Sequence, residues 1–384
     1  MQSLNIIISG MVAGVPGQGG AVWAVLQYVL GLRLLGHQVH LIEPLRADAI
    51  EPSDAPFEHS VNATYFQRLV SKFELGKTAT LLNTDSGETI GLAYADLVRL
   101  TQSCDVFINI SGLLQDEELT GHIPLRVYLD LDPAFTQLWS EVQGIDLGFA
   151  GHSHFVTIGM ALGQPGCPVP TCGLSWIKTL QPIVLAHWPV AREIKYDGLT
   201  TIANWRGYGS IEFNGLFYGQ KAHSLRPFFS LPRQTDEKFL LALAIHKDEQ
   251  SDLRELALND WQLLDPLTIA DTPENFRSFI QHSKAEFGFA KSGYVISRCG
   301  WFSDRSICYL ASGRPVIAQD TGFSDFLPMG KGLFSYETVN DVLSGIDELN
   351  SNYSLHAKIA RELAEDYFES GLILTKLLES IGAG

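Results

Sequence analysis

Residues 291–328, KSGYVISRCGWFSDRSICYLASGRPVIAQDTGFSDFLP, constrain the fold more than any other stretch of the chain. They read as strand, glycine turn, short helix, glycine stop and second strand. Residues 294–297 are β-prone, Gly300 permits a sharp turn, and Ser303 is placed to cap a helix whose first turn is Asp304-Arg305-Ser306. Gly313 and Pro315 then end that helix. A helix start at a strand end presents unpaired N–H groups carrying roughly half a positive charge, which suits an anion such as a diphosphate. Arg305 adds a planar fork matched to phosphate oxygens, and Lys291, Arg298 and Arg314 lie within the same segment.

The amino terminus gives a second unit of the same kind. Residues 4–9 form a buried-strand run, residues 10–20 a glycine-rich loop ending in Gly19-Gly20, and residues 21–35 an apolar helix. Gly36 and a further strand follow. Strand, glycine loop, helix, glycine, strand is a βαβ opening. The loop lacks a clean G-x-G-x-x-G, although Glu43 ends the second strand where a dinucleotide fold would place its ribose-binding acid.

Together these segments resemble glycosyltransferases of the GT-B fold. Arg298-Cys299-Gly300-Trp301 is similar to the histidine-cysteine-glycine-tryptophan turn of the plant-type branch. Ser312-Gly313-Arg314-Pro315-Val316-Ile317 matches the small-glycine-x-proline-apolar signature that follows the helix in both main branches. Gly19-Gly20, a long helix and Gly36-His37-Gln38-Val39 resemble the first unit of the retaining hexosyltransferases. The resemblance implies two Rossmann-like, doubly wound α/β domains facing a cleft, with a C-terminal helix crossing back to the first domain. It implies a nucleoside-diphosphate sugar as co-substrate, uridine being the commonest nucleotide, with no other cofactor, no metal, and an acceptor left unidentified. The donor-binding set it implies is Gly19, Gly20, Gly300, Trp301, Ser303, Asp304, Arg305, Ser306, Asp320 and Thr321. Where the branches carry a ribose-binding glutamate in mid-helix, this chain has Ser306 and Cys308.

At 384 residues the chain exceeds what one hydrophobic core usually serves, and the expected division is 1–185, 186–355 and a crossing helix at 356–384. Strands are predicted near residue 80 and at 105–110, 126–131, 155–158, 200–205, 238–245 and 261–264. Helices are predicted at 63–74, 94–101, 249–258 and from Thr272-Pro273-Glu274 onward. Residues 356–381 read as one helical run, and 162–190, rich in Gly and Pro, as the connection between domains. Residues 198–232 are aromatic and glycine-rich without a decipherable motif.

A net charge of −16 and a pI near 5.1 argue against nucleic acid or an anionic membrane as the main partner. Five cysteines without paired CxxC spacing point to reduced thiols and a cytoplasmic protein rather than a disulfide framework or zinc site. No basic leader precedes the first strand, and no apolar run is long enough to span a bilayer. Transfer also requires a group that handles the acceptor proton. Asp132, in Tyr128-Leu129-Asp130-Leu131-Asp132-Pro133, and His152 and His154 are the candidates, because polar groups at strand ends face the cleft of such a fold. A non-hydrolysing nucleotide-sugar epimerase and a non-catalytic nucleotide-sugar-binding protein are the alternatives.

Overall fold

The computed structural model describes residues 2–383. The first half builds an eight-stranded sheet from β1 (Asn5–Ser9), β2 (Gln38–Leu45), β3 (Ala79–Asn83), β4 (Thr89–Ile90), β5 (Val106–Ile110), β6 (Leu125–Asp130), β7 (His154–Thr157) and β8 (Trp176–Lys178). Their order is β4-β3-β2-β1-β5-β6-β7-β8, and every pairing is parallel except β3 with β4. Buried runs such as Ile6-Ile7-Ile8 and Val106-Phe107-Ile108 are apolar on both faces, as a sheet covered by helices on both sides requires.

The second half contains β9 (Tyr196–Asn204), a hairpin of β10 (Ile211–Phe213) and β11 (Leu216–Tyr218), then β12 (Phe239–Ala244), β13 (Gln262–Leu264), β14 (Ser283–Gly288), β15 (Val316–Gln319) and β16 (Leu333–Tyr336). Its main sheet is wholly parallel in the order β13-β12-β9-β14-β15-β16, and the hairpin joins neither sheet. In each sheet the chain order reverses once, at β1/β5 and at β9/β14. Such switch points are where parallel sheets open a crevice beyond the strand carboxyl ends. The two-domain, doubly wound α/β expectation is therefore met.

Two local expectations need correction. Residues 294–297 lie in a short helix, Ser292–Ser297, and the strand before the turn is β14, which the sequence reading missed. Gly293 packs so tightly in that helix that a Cβ would stand 2.6 Å from the Phe135 ring, so tertiary contact overrides the β preference of Val295 and Ile296. The run 356–381 is two helices, Tyr353–Tyr367 and Ser370–Ser380, the second capped by the Glu369 carboxylate, which accepts from Leu372 N at 2.9 Å. At the break the chain crosses to the first domain: Ile183 N donates to Phe368 O and Ser370 N to Ile183 O. The last helix then lies on the helix Gly19–Leu34, where Gly31 leaves room for Leu374. Residues 4–9 and the Thr272 cap, whose hydroxyl accepts from Asn275 N at 3.2 Å, fall where the sequence places them.

The domains are closed on one another. Gly19 N donates to Ala270 O, the Trp23 indole to Pro273 O at 2.8 Å, and Gln181 to Phe302 O at 2.9 Å.

Candidate functional site

A cavity of about 310 Å³ opens between the domains. One wall is apolar, made by Ile202 and Ala203 at the end of β9, Ala244 at the end of β12, and Leu267, Ala270 and Phe276 beyond β13. The cavity's polar groups are Gln18 from the first domain and Asn204, Lys221, Asp304 and Arg305 from the second, with Lys221 close enough to Asp304 and Arg305 to feel both charges. An apolar slot with a few convergent polar groups at one end is the form of a small-ligand site, and this size accepts a nucleotide.

Lys221, the first residue of the helix Lys221–Leu225, is the residue sequence reasoning missed. Among the described residues no hydrogen bond or ion pair engages its Nζ. Burial pushes its ammonium down to about 7, with repulsion from Arg305 and Lys291 adding and Asp304 and Asp132 opposing. An amine held near neutrality beside a second cation takes up a proton when an anion arrives. The only signal in the sequence was a lone lysine within 198–232, opening a helix after a glycine-rich stretch.

Beside Lys221 begins the helix Asp304–Ala311. Ser303 occupies the N-cap position, but its side chain makes no capping bond to the first turn and instead reaches Asp304 Oδ1 at 3.4 Å. No side-chain cap therefore satisfies the N–H groups of that turn. The Asp304 carboxylate complements the helix dipole and would repel phosphate, so any anion at this helix start would have to be held by backbone N–H groups rather than by that side chain.

Arg305 reaches the cavity but is not a free fork. Its Nε donates to Glu286 Oε1 at 2.6 Å and its Nη1 to Ile202 O at 2.9 Å, inside the sheet. Arg314 is likewise spent on the carbonyls of Gln281 and Glu193. Gly20 borders the cavity, yet a Cβ there would lie 2.7 Å from the Phe276 ring, and one on Gly19 would collide with the Thr272 carbonyl. These glycines let the two domains meet.

The rest of the expected donor set lies outside the cavity. Trp301, Ser303 and Ser306 border a separate crevice of about 10 Å³, room for roughly one water. Gly300 adopts φ +78°, and its turn packs on the first domain, where Ala161 N donates to Cys299 O at 2.9 Å. Thr321 closes that turn, accepting from Gly300 N and donating its hydroxyl to Trp301 O. Asp320 accepts from Gly322 N at 2.9 Å, Ser324 Oγ at 2.8 Å and Arg298 at 3.3 Å, so it shapes its loop.

The three acid-base candidates are engaged elsewhere. Asp132 lies beyond the carboxyl end of β6, as expected, but both of its oxygens accept from the second domain: Lys291 Nζ at 3.0 Å, Tyr208 at 2.5 Å, and Tyr294. His154 opens β7, at the strand end opposite the cleft, and pairs with Ser153 Oγ at 2.9 Å. His152 contacts Asn109 at 3.1 Å, packs on Phe107 and Tyr128, and is pushed toward the neutral form by burial. The expectation failed for His154 because β7 runs in the same direction as β6, which puts its first residue at the far edge, and for His152 because its ring is packed against the sheet and spent on Asn109.

The glycine loop after β1 already holds a carboxylate. Glu43, fully buried in β2, accepts from Val12 N at 2.9 Å, Ala13 N at 2.8 Å and Gly14 N at 2.7 Å. Burial pushes its carboxyl up to about 7 against the pull of those three donors. Glu43 is therefore the loop's brace rather than a ribose contact.

No protein-family model matches the chain, and neither does any curated protein sequence. Solved structures do. An alpha-glucosyltransferase in complex with UDP-glucose and DNA containing an abasic site is similar at a TM-score of 0.63 and 12% identity, over 99% of this chain and 100% of that one. HepE from Anabaena, in complex with UDP and glucose, is similar at 0.58 and 11% over 99% and 100% of the two chains. Sucrose-phosphate synthase from Thermosynechococcus elongatus is similar at 0.56 and 12% over 99% of each. Full-length superposition at such low identity speaks for architecture, and the architecture is the GT-B glycosyltransferase fold.

Proposed function

We propose that the protein is a glycosyltransferase that uses a nucleoside-diphosphate sugar, with uridine as the nucleotide, and needs no divalent metal. The observation that carries this reading is the unpaired Lys221 amine at the polar end of the interdomain cavity, beside the uncapped start of the helix Asp304–Ala311. The apolar wall accepts the base and ribose. The polar end receives the diphosphate, whose charge grows as the glycosidic bond to the donor breaks. Lys221 and the helix N–H groups lie where that growing charge would be stabilised. In the proposal Lys221, once protonated, and these N–H groups carry the leaving-group role.

The names of similar structures support the same donor, since UDP or UDP-glucose is bound in the alpha-glucosyltransferase and in HepE. Titration calorimetry with UDP and with uridine, each in EDTA, tests the proposal. UDP should bind well above uridine without metal. Equal binding of the two, or binding of UDP only with magnesium or manganese, refutes the phosphate site or the metal-free mechanism respectively. Release of UDP from labelled UDP-sugar on addition of acceptor separates transfer from epimerisation, which isomerises the donor instead.

A further inference from the structure

Asp304, which opens the helix Asp304–Ala311, borders two cavities. On one side lies the donor cavity, with Lys221. On the other lies a small interdomain cavity of about 10 Å³, room for roughly one water, where Gln27 and Tyr28 of the helix Gly19–Leu34 meet Asp304 and Cys308. Both first-domain side chains are buried, Tyr28 at 1% and Gln27 at 5% exposure. Val184 N donates to Gln27 Oε1 at 2.7 Å and so orients the amide, with Nε2 turned away from that contact. Among the described residues neither Gln27 Nε2 nor the Tyr28 hydroxyl has a hydrogen-bond partner. The Tyr28 phenol is kept protonated by burial and, secondarily, by the nearby Asp304 charge. A buried donor left unpaired is costly, so two of them beside a carboxylate point to a use.

The carboxylate is as little claimed as the donors. Its one direct hydrogen bond among the described residues is from Ser303 Oγ, at 3.4 Å, and no cation pairs with it. It can turn toward the Lys221 amine in the donor cavity, or toward the two donors across the domain boundary. The charged groups facing Lys221 are Arg305, Lys291, Asp304 and Asp132. Arg305 is paired with Glu286, and Lys291 with Asp132. Of these four, Asp304 is the carboxylate left to compete with an anion for the amine.

We propose that Tyr28 and Gln27 are positioning residues: their hydroxyl and amide N–H groups, acting through one water, draw the Asp304 carboxylate across the domain boundary and leave the Lys221 amine free for the donor diphosphate. The diphosphate role rests on the donor-site reading above; the link between Tyr28 and Asp304 does not. Without these donors Asp304 turns to Lys221, where it neutralises the cation and repels phosphate. Tyr28 and Gln27 belong to the first domain, Asp304 and Lys221 to the second, so the anion site is cleared only while the domains are closed.

Titration calorimetry on the whole chain tests this with Tyr28→Phe, which removes the hydroxyl and keeps the buried ring. At pH 7 the variant should bind UDP roughly three- to tenfold more weakly, the loss of about one hydrogen bond, with uridine unchanged. Its pH profile should move as well. With Asp304 against the amine, Lys221 keeps its proton to higher pH, so the fall in UDP affinity above pH 7 should begin roughly half a unit to one unit later than in the wild type. In an Asp304→Ala background, Tyr28→Phe should change neither affinity nor profile. Unchanged UDP affinity, an unshifted profile, or a loss that persists in the Asp304→Ala background overturns the positioning role. Thermal melts of the unliganded proteins read the link by itself: Tyr28→Phe should lower the melting temperature of the wild type more than that of Asp304→Ala, and equal shifts overturn it. If the wild type binds no UDP, the donor reading fails and the positioning role with it, and the melts alone decide the link. Asp304→Asn replaces Asp304→Ala should the latter not fold.

Discussion

Replacing Lys221 by methionine removes the amine while keeping the length and apolar stem of the side chain. A charge-assisted hydrogen bond contributes about 1.5–3 kcal/mol, so UDP should bind the variant roughly 10- to 150-fold more weakly at pH 7, with uridine nearly unaffected. The pH dependence is more specific. Because the free amine titrates at about 7, only roughly one molecule in ten carries the charge at pH 8, and diphosphate must bring a proton with it. UDP affinity of the wild type should therefore fall by up to about tenfold per pH unit above 7, or about 1.4 kcal/mol per unit. The last ionisation of the terminal phosphate, at about pH 6, is nearly complete over that range and, where it still contributes, would raise the affinity rather than lower it. Calorimetry between pH 7 and 9, repeated in buffers of different ionisation enthalpy, reads both the affinity and the proton uptake. Lys221→Met should flatten the curve and abolish the uptake. The reasoning is refuted if the variant keeps the wild-type pH slope, or if it binds UDP with unchanged affinity.

The same depression has a sign for stability: the unfolded chain holds the Lys221 proton up to the ordinary lysine range, so the unliganded wild type should gain stability relative to Lys221→Met as pH rises from 7 toward 10, as read by thermal melts. Arg305→Ala should destabilise the fold by about 3–5 kcal/mol, because it strands the buried Glu286 carboxylate, and adding Glu286→Gln should restore much of that loss in denaturant titrations. Gly19→Ala should loosen the domain interface more than Gly20→Ala, since Gly19 faces the Thr272 backbone whereas Gly20 faces a ring that Phe276→Leu can shorten; limited proteolysis and melting temperatures rank them. Glu43 titrates near 7 when folded and near 4.5 when unfolded, so its contribution to stability is whole below about 4.5 and is lost as pH rises through 7, by up to roughly 3 kcal/mol. Glu43→Gln should lose that component in melts compared at pH 5 and pH 8.

What the sequence disclosed is what local rules govern. Gly300 and Gly313 stand at φ +78° and +69°, where a side chain is strained, and both were legible as a turn and a helix stop. The helix Tyr94–Thr101 and the Thr272 cap follow from apolar spacing and capping chemistry in the same way. β14 was hidden because the helix Pro273–His282 runs straight into it, with no turn residue between and only Ala285 and Phe287 to show alternation. The site itself is set by non-local contacts. Arg305 sits in the helix turn as read, but what its guanidinium binds depends on Glu286, on the neighbouring strand. Asp132 ends its strand as read, but the groups that occupy it, Tyr208, Lys291 and Tyr294, come from the other domain. Lys221 reaches the cavity only because a hairpin carries the chain out and back.

A crystal structure of the protein soaked with UDP tests the donor-site claim most directly. The predicted result is a diphosphate within hydrogen-bonding distance of Lys221 Nζ and the first-turn N–H groups of the helix Asp304–Ala311, with the uracil between β9, β12 and Leu267. UDP bound outside this cavity, or bound within it with its phosphates turned away from Lys221, would contradict the assignment.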